Sequence, residues 1–409
     1  MTHLSSKQAK QYEHINEQQL AELMAQAASV RDAAWGKTMT YSRKVFIPLT
    51  NYCRDECKYC TFVKRPGDVN ANIMTPAQVL SVAKQGQVLG CKEALFSLGE
   101  KPELRYREVR QALKALGYNS MVDYLVAMCD LVVAQTTLIP HVNAGNLTAA
   151  EFSQLKAVSG SMGLMLESVS DELHNKGAAH FACPDKIPAL RLETIKQAGL
   201  QHIPFTTGIL IGIGETWADR VDSLVAINQL QQKQGHIQEV IVQNFCAKPD
   251  TEMANHPEPS ITDMLKTLAV ARLILDPAIS LQAPPNLQQN HADYIAAGIN
   301  DWGGISPLTQ DFINPDNAWP QINNLAKSCQ QQGFTLQERL TVYPKYFSKK
   351  SEQLSDVSQQ FVRSRLIAMA RIDGLAQQQV VQCDHNESIN EKINKSLNEK
   401  INEKIVEVS

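Results

Sequence analysis

Three cysteines lie within a short stretch, NYCRDECKYCTF at residues 51–62, that follows the apolar run VFIPLT. Cys53, Cys57 and Cys60 have the spacing i, i+4 and i+7, which could place all three on the buried face of a helix. The residues between them are mostly charged, however, and two tyrosines are their only apolar neighbours. Because such a segment is poor core material, we interpret the three thiols as metal ligands.

The kind of metal site can be narrowed from the rest of the chain. Disulfide bonds need an oxidising compartment, and the opening MTHLSSKQAKQYEH lacks the apolar segment of a secretory signal. Zinc prefers four ligands, commonly as two pairs, and no second CxxC or HxxxH occurs among the nine cysteines and ten histidines. Three thiolates suit a 4Fe-4S cluster whose fourth iron is open to an external ligand. We therefore predict one such cluster and a location in a reducing cytoplasm.

Composition excludes several classes of partner. The chain has 409 residues, of which 44% are hydrophobic and 20% charged, as is usual for a globular protein. The formal net charge of -3 offers no basic surface for nucleic acid. No apolar run approaches the roughly eighteen residues that a membrane span requires. We expect neither a nucleic-acid partner nor a membrane partner.

The chain alternates apolar, often β-branched runs with segments of helical pattern. The runs are KVFIPLT, EALFSLG, LIPHVN, GLMLES, IPFTTGILIG, EVIVQNF, ISLQAPP and WGGISP. Eight alternations of this kind predict an α/β fold, a (β/α)8 parallel barrel or an open relative of it.

The barrel is predicted to be one of four segments. Residues 1–40 form a polar, helical flank, residues 41–346 the barrel, and residues 347–384 a further helical segment. Residues 385–409 repeat INEKIN with apolar residues every fourth position. Because a helix turns once per 3.6 residues, that stripe drifts around the helix, so we interpret the repeat as a dispensable, weakly helical tail.

In a parallel barrel the functional side chains gather where the strands end, and the expected ends here carry polar residues or glycines. They are the cysteine loop, Gly99 and Glu100, Asn143, Glu167 and Ser168, the glycines of GILIGIGET, the segments QNFCAKP and APPNL, and Asp301 with Trp302. Each has an ordinary structural explanation, such as a turn glycine or an ion pair at the barrel rim. Their shared location at one end of the barrel favours function.

The sequence resembles a known family in these segments. CRDECKYC has the CxxxCxxC spacing of radical S-adenosylmethionine (SAM) enzymes, which bind a 4Fe-4S cluster and SAM. The strings LGEKPE, MLESVSDELHNKG, IPFTTGILIGIGET, QAPPNL, AGINDWGGISPLTQDFINPDNAWP and ERLTVYPKY resemble subunit 1 of FO synthase, the 7,8-didemethyl-8-hydroxy-5-deazariboflavin synthase family. The resemblance covers about residues 40–346. Only one cysteine motif is present, so the chain is similar to subunit 1 alone and not to the larger fused forms.

The resemblance implies a reaction in deazaflavin coenzyme biosynthesis. Subunit 2 supplies 5-amino-5-(4-hydroxybenzyl)-6-(D-ribitylimino)-5,6-dihydrouracil, and subunit 1 closes its ring to give the deazaflavin FO. Ammonia, 5'-deoxyadenosine and methionine are released. Hydrogen abstraction at the benzylic carbon, closure onto the ribityl nitrogen and loss of ammonia are the expected steps. An electron donor such as ferredoxin or flavodoxin is a further expected partner.

The resemblance also implies roles for individual residues. Cys53, Cys57 and Cys60 would be the cluster ligands. The remaining cofactor-binding positions are Tyr59 near the adenine, Gly99 and Glu100 at the amino group of SAM, Glu167 and Ser168 at the ribose, and the stretch from Ile211 to Gly214 along the adenine. His141, Asp301 or the amides Gln243 and Asn244 could move protons, although a hydrogen-bonded barrel histidine is an equal interpretation of His141.

Some features depart from the family pattern or lie outside it. Cys246 stands where a basic or polar residue is expected, which puts an anion contact there in doubt. The tail after residue 385 has no counterpart in the family. The other cysteines, Cys91, Cys129, Cys183, Cys329 and Cys383, lie in apolar or helical contexts where cysteine acts as a small hydrophobic residue.

Two alternatives stay open at the level of sequence. One is another radical SAM enzyme with the same barrel, such as subunit 2, a biotin-synthase relative or a menaquinone-pathway enzyme. The cysteine motif does not separate these, whereas NDWGGISPLT and QAPPNL favour subunit 1. The other alternative is a metal-stabilised binding protein without catalytic activity.

Overall fold

The structure is a computed structural model that describes residues 3–287, 290–347, 357–371 and 374–377. The strands in this part of the chain are β1 Thr38–Thr50, β2 Glu93–Leu98, β3 Ile139–Asn143, β4 Ser161–Gly163, β5 Phe205–Ile211, β6 Ile237–Asn244, β7 Ser280–Gln282, β8 Asp301–Ile305 and β9 Thr335–Arg339. The helices are α1 Ser6–Lys10, α2 Glu17–Trp35, α3 Pro76–Val88, α4 Arg107–Ala115, α5 Met121–Gln135, α6 Ala149–Val158, α7 Pro188–Leu200, α8 Trp217–Gln234, α9 Ile261–Ile274, α10 His291–Ala296, α11 Ile322–Gln331 and α12 Val357–Met369.

The strands β1 to β8 form a closed parallel barrel. They pair in sequence order, and β1 closes the ring by pairing with both β2 and β8. β1 also pairs with a third strand, because it extends beyond its pairing with β2: its first residues, from Thr38 to Ser42, pair with β9. Helices connect successive strands, as right-handed crossovers between parallel strands require.

The predicted parallel barrel is confirmed, and all eight apolar runs overlap a strand of it. Two details differ from the sequence prediction. The fourth strand, β4, ends at Gly163, which is only the first residue of the run GLMLES that was expected to be extended through residue 168. The ninth strand, β9, was not predicted, since TLQER contains two charged and two polar residues and one apolar residue.

Several helices begin at residues whose side chains cap them. Thr75, Thr148 and Thr216 precede α3, α6 and α8, and each threonine oxygen accepts a hydrogen bond from the third backbone N–H of its helix. The residue at that third position bonds back to the capping residue, which completes a capping box. Such caps fix where the helix starts and therefore how long the preceding loop at the barrel rim can be.

The first two helices pack on the outside of the barrel. The backbone N–H of Leu4 donates to Leu273 of α9 at 3.0 Å, and Lys10 forms an ion pair with Asp222 of α8 at 2.7 Å. The predicted boundaries at residues 40, 346 and 384 stay predictions. The repeat tail at residues 385–409 lies outside the described residues. Within the described residues, no helix is long and apolar enough to cross a bilayer.

The interior of the barrel is polar where β6, β8 and β9 meet. Arg339 at the end of β9 donates to both carboxylate oxygens of Asp301, at 2.7 and 3.0 Å, and to Glu239 of β6 at 2.7 Å. Asp301 also accepts hydrogen bonds from Thr40 and, at 3.1 Å, from Tyr343. One guanidinium therefore joins two buried carboxylates from different strands.

Replacement of Arg339 by methionine should destabilise the barrel strongly. The change leaves the carboxylates of Asp301 and Glu239 buried without their cation, and breaking a buried ion pair from one side costs about 3–5 kcal/mol. We expect that loss in the free energy of unfolding, measured by chemical denaturation. Arg107→Met on the exposed surface of α4 serves as the control and should change stability by less than about 0.5 kcal/mol. A similarly small loss for Arg339→Met would contradict the structural role of this network.

Candidate active site

A cavity of about 330 Å³ lies inside the barrel, between the inward-facing side chains of the strands and the loops that follow them. Cys53, Cys57 and Cys60 all line it, although no regular helix or strand holds them. Deeper in the cavity the lining comes from alternate residues of the strands, such as Lys44 and Phe46 of β1. The volume is within the range of sites for small molecules.

The cysteine loop is fixed by its neighbours. Arg54 forms an ion pair with Asp185, which precedes α7, and the N–H of Arg54 donates to the carbonyl of Glu100 at 3.0 Å. The N–H of Lys58 donates to Ala179 at 3.0 Å. Loops after two different strands, β2 and β4, therefore hold the cysteine loop, which keeps the thiols at the cavity without secondary structure of its own.

The thiols differ in their environments. Burial raises the pKa of Cys53 and of Cys60 above the usual value for a thiol. The Cys183 thiol, which donates to Cys57 Sγ at 3.6 Å, lowers the pKa of Cys57. A buried thiol loses its proton readily only when a cation replaces it, as happens when a metal binds.

The three thiols of the motif share one cavity. Cys53, Cys57 and Cys60 all line it. A 4Fe-4S cluster is held by cysteine thiolates, each bound to a different iron. The residues present therefore fit the predicted 4Fe-4S group.

Gly99 and Glu100 follow β2 and lie directly against the cysteine loop. A Cβ on Gly99 would be 2.0 Å from the carbonyl oxygen of Tyr52, so only glycine allows this approach. The N–H of Glu100 donates to Cys53 Sγ at 3.1 Å. The Glu100 carboxylate lines the cavity, accepts the N–H of Asn146 at 2.8 Å and is 6% exposed. Burial, with a smaller contribution from the charge of Asp185, raises the pKa of Glu100 to about 8.

Glu167 lines the same cavity and Ser168 does not. Glu167 has a φ of 65°, which is unusual outside glycine, and it accepts a hydrogen bond from Lys186 Nζ at 2.6 Å. The Ser168 hydroxyl accepts the N–H of Ser170 at 3.1 Å within its own loop. Among the described residues that line the cavity, Ser168 is absent.

Tyr59 also lines the cavity, as expected from its position before the last cysteine. Its hydroxyl lies 3.0 Å from Nε2 of His180. Burial, aided by the charge of Glu167, raises the pKa of Tyr59 well above its usual value. Tyr59 is therefore a neutral, oriented aromatic side chain.

Ile211 is the last residue of β5, and Gly214 follows it at an exposed position. Ile211 is fully buried in the core, and Gly214 has a φ of 109° in the turn that leads to α8. Neither is among the described residues that line the cavity, whereas Leu210 is. The structure thus brings Leu210, and not the two predicted residues, to the site.

The two predicted catalytic residues occupy different environments. His141 of β3 lines the cavity, and its Nδ1 lies 2.7 Å from the Ser161 hydroxyl. Burial lowers the pKa of His141 to about 4, so the imidazole is neutral near pH 7. Asp301 opens β8 instead of following it and is 0% exposed. Because Arg339 engages both of its oxygens, the position of Asp301 opposes the catalytic role predicted for it.

Comparison with known proteins identifies the family of the chain. The sequence model described as the Radical SAM superfamily matches residues 47–227, which include the three cysteines. The 7,8-didemethyl-8-hydroxy-5-deazariboflavin synthase of Methanopyrus kandleri is 45% identical over 328 residues, which are 78% of this chain and 98% of that enzyme. The chain belongs to the 7,8-didemethyl-8-hydroxy-5-deazariboflavin synthase family.

Longer relatives share this part of the deazariboflavin synthase sequence. The FO synthase of Mycobacterium tuberculosis (strain H37Rv) is 48% identical over 345 residues, which are 80% of this chain and 40% of that protein. The FO synthase of Streptomyces coelicolor is 45% identical over 375 residues, which are 89% and 43% of the two chains. The chain spans about two fifths of the length of the FO synthases that it matches.

Solved structures confirm the radical SAM fold of this deazariboflavin synthase family member. The FeFe-hydrogenase maturase HydG from Carboxydothermus hydrogenoformans superposes with a TM-score of 0.67 over 97% of this chain and 90% of that one, at 17% identity. Methylornithine synthase (PylB) gives a TM-score of 0.64 over 82% of this chain and 94% of its own, at 18% identity. At these identities the likeness concerns the fold alone.

Sequence reasoning missed the charged residues in the interior of the barrel. Lys44 of β1, Glu93 of β2, Glu239 of β6 and Arg339 of β9 all line the cavity. They belong to the strands themselves, whereas the sequence analysis looked for functional residues where the strands end. The available signal was alternation, because successive strand residues point to opposite faces and Lys44 and Phe46, two apart, both face inward.

The cysteines outside the motif lie in different surroundings. Cys91, Cys129 and Cys329 are buried among apolar side chains, in keeping with the sequence analysis. Cys183 instead touches Cys57, and Cys246 lines the cavity and accepts a hydrogen bond from Asn244 at 3.5 Å. Cys383 lies outside the described residues.

Replacement of Cys53, Cys57 or Cys60 by alanine should abolish the iron-sulfur cluster, because each thiol would hold a different iron. We expect loss of bound iron, of sulfide and of visible absorbance after anaerobic reconstitution. Cys91→Ala is the control, since that thiol is buried and is absent from the cavity lining in the described part of the chain. Cys183→Ala should also retain the cluster. A full cluster in Cys57→Ala would refute the assignment.

Proposed function

We propose that the chain closes the deazaflavin ring of 7,8-didemethyl-8-hydroxy-5-deazariboflavin. The substrate would be 5-amino-5-(4-hydroxybenzyl)-6-(D-ribitylimino)-5,6-dihydrouracil, and ammonia, 5'-deoxyadenosine and methionine would be released. The observation that carries this proposal is the 45% identity to the Methanopyrus kandleri synthase across 98% of that enzyme. The three thiols that line one barrel cavity support it.

Cys53, Cys57 and Cys60 would hold the 4Fe-4S cluster as thiolates. When bound, the cluster supplies the low-potential electron that cleaves SAM reductively. The loops described above keep the three thiols in place before the cluster binds, because Arg54 and Lys58 are tied to Glu100, Asp185 and Ala179. Because Gly99 has no side chain, the loop after β2 can lie directly against the cysteine loop.

Glu100 would accept a hydrogen bond from the amino group of SAM. Its carboxylate is nearly buried and already points into the cavity, held by the N–H of Asn146. A cation placed beside it would favour the ionised carboxylate over the protonated form that burial favours. Charge-assisted hydrogen bonds of this kind are stronger than neutral ones.

Of the other residues predicted to bind SAM, Tyr59 and Glu167 line the cavity and could contact its adenosyl part directly. Tyr59 offers an aromatic ring fixed by His180, and Glu167 offers a carboxylate fixed by Lys186. Ser168, Ile211 and Gly214 would support that part only indirectly, through the loop and strand that carry them. Their predicted contacts stay predictions.

The upper part of the cavity suits the rest of the substrate. The side chains of Asn143, Gln243 and Asn244 line it and could bind ribityl hydroxyls. Oδ1 of Asn244 is buried without a hydrogen-bond partner among the described residues. Phe46 and Trp319 supply aromatic surface that could contact the hydroxybenzyl group and keep water away. His141, neutral and half-buried, is the side chain here that could accept a proton.

Two partners follow from the proposed reaction. The substrate would come from FO synthase subunit 2, and the electron from a donor such as ferredoxin or flavodoxin. The cytoplasmic location predicted from the sequence stays a prediction.

One experiment tests the proposed function directly. Reconstituted protein would be incubated anaerobically with SAM, dithionite and the subunit 2 product, and the fluorescent deazaflavin would be sought by chromatography. We expect deazaflavin and 5'-deoxyadenosine to form together, and neither to form in Cys57→Ala. Formation of 5'-deoxyadenosine without deazaflavin would show that the chain acts on another substrate.

Glu100→Gln should weaken the binding of SAM while it preserves the fold and the cluster. Loss of a hydrogen bond between charged groups costs about 1.5–3 kcal/mol, which is roughly tenfold to hundredfold in affinity. Rates at saturating SAM should fall less than rates at low SAM.

Glu103→Gln provides the control for this measurement. Glu103 is a similarly buried carboxylate, which accepts the N–H of Met121 at 3.2 Å and is absent from the described cavity lining. Titration of SAM should show unchanged affinity for the control. Unchanged affinity for Glu100→Gln, with cluster content measured on the same sample, would remove Glu100 from the cofactor site.

A further inference from the structure

A lysine without a partner lies in the cavity, deep within the barrel. Lys44 is in the middle of β1, six residues before the end of the strand, and therefore roughly 20 Å along it from the cysteine loop. Among the described residues, no hydrogen bond or ion pair satisfies its ammonium group, whose nearest ring is that of Trp319 with the centroid 5.7 Å from Nζ. Burial lowers the pKa of Lys44.

The backbone makes room for this side chain. Lys44 lies over Gly304 of β8, where an added Cβ would be 2.1 Å from Lys44 Cε and 2.3 Å from Nζ. A glycine here leaves the space that the lysine stem occupies. The position of the ammonium is therefore set by close packing and not by an ion pair.

An opposite charge faces the ammonium without meeting it. Glu93 of β2 is the direct register partner of Lys44, so both side chains point into the barrel. One Glu93 oxygen accepts the Ser42 hydroxyl, and the other has no hydrogen bond from any described residue. The two groups are not within ion-pair distance, although each is a neighbour that could neutralise the other. A gap of this kind between opposite charges is suited to a ligand.

The other charged groups around Lys44 have partners of their own. Glu239 of β6 is paired with Arg339 of β9, and Asp311, in the segment after β8, accepts hydrogen bonds from Asn286 and the Ile313 N–H. His141 of β3 is neutral. Among these charged groups, Lys44 alone has no hydrogen bond or ion pair from the described residues, and its ammonium contacts only the Trp319 ring. An ammonium that lines the cavity in this way keeps its N–H donors available for a ligand.

We propose that Lys44 and Glu93 bind the pyrimidinedione edge of the substrate, with Lys44 donating to a ring carbonyl and Glu93 accepting the imide N–H. This inference rests on the proposed function, which supplies the substrate. A C(=O)–NH–C(=O) edge alternates acceptor and donor, and it therefore matches an ammonium beside a carboxylate. A phenol hydroxyl, the other conjugated oxygen group in the substrate, donates and accepts through one oxygen, whereas the imide edge places its donor and its acceptor on separate atoms, one for each side chain.

Two variants test the role of Lys44 in different ways. Lys44→Met removes the charge and keeps the length of the side chain. Gly304→Ala keeps the charge and displaces the lysine, because the new methyl group would occupy the position of its flexible end. Lys84→Met, at an exposed position of α3, is the matched control.

Binding is measured on the anaerobically reconstituted protein by quenching of the fluorescence of the deazaflavin product, with no turnover required. Both cavity variants should bind the deazaflavin about tenfold to hundredfold more weakly than the unmodified protein and the Lys84→Met control. In a Lys44→Ala background, Gly304→Ala should have no further effect, because the side chain that it displaces is gone. Unchanged affinity in Lys44→Met would overturn the proposal.

Competing ligands distinguish the two ends of the substrate. A ribitylaminouracil should compete with the deazaflavin, and Lys44→Met should weaken this competitor. 4-Hydroxybenzyl alcohol should be unaffected by the substitution. If Lys44→Met instead weakened only the phenol, the assignment to the pyrimidinedione edge would be wrong.

The thermal stability of the Lys44→Met variant distinguishes a ligand-binding role of Lys44 from a structural role. Because Lys44 has no partner to lose, Lys44→Met should leave the melting temperature unchanged or raise it, whereas a structural lysine would lower it. The binding result is also independent of the ring-closure assay. If the unmodified protein bound deazaflavin through Lys44 but formed none from the subunit 2 product, the proposed function would fail and the Lys44 site would stand.

Discussion

The structure depends on the need to neutralise charge inside the barrel. A barrel whose interior is filled with side chains leaves no room for a substrate, and here the interior keeps a cavity whose lining includes charged side chains. Two cations, Lys44 and Arg339, face three carboxylates, Glu93, Glu239 and Asp301. Burial raises the pKa of Glu239 to about 8 even though Arg339 opposes the shift, so this carboxyl holds a proton more readily than an exposed one. Within this group, Arg339 pairs with Glu239 and Asp301, and Lys44 faces Glu93.

The two ends of the cavity have different side chains and therefore different roles. At the carboxyl ends of the strands, loops position three thiols and the carboxylate of Glu100, which can hold a cationic cofactor. In the middle of the strands, packing against Gly304 positions Lys44. β1 contributes to both ends, since Lys44 lies within it and the cysteine loop follows it. Closure of the barrel through β1 thus fixes the distance between the cofactor end and the substrate end.

The sequence predicted the features that depend on local pattern. The CxxxCxxC spacing and the alternation of apolar runs with helical segments are local, and the radical SAM motif and the barrel followed from them, whereas the family followed from longer strings such as NDWGGISPLT and QAPPNL. The thiols, Gly99, Glu100, Glu167, Tyr59 and His141 were placed at the cavity for the same reason, since strand ends gather at one end of a parallel barrel.

The features that sequence reasoning missed depend on register and on distant contacts. Asp301 was expected after β8 but opens it, and a shift of this size moves a side chain from the loop end of the barrel into its buried network. Arg339 gains its role only because β9 pairs with β1, almost three hundred residues earlier in the chain. Lys44 gave no local signal, because a single lysine at the start of an apolar run is ordinary.

A crystal structure of the anaerobically reconstituted protein with SAM and the deazaflavin bound tests the central claim most directly. The claim is that the thiol end holds the cofactor while the charged interior recognises the pyrimidinedione ring. The account predicts three cysteine–iron bonds, from Cys53, Cys57 and Cys60, and Lys44 Nζ within hydrogen-bond distance of a ring carbonyl. A deazaflavin bound elsewhere, or a Lys44 ammonium paired with Glu93 in its presence, would contradict the account.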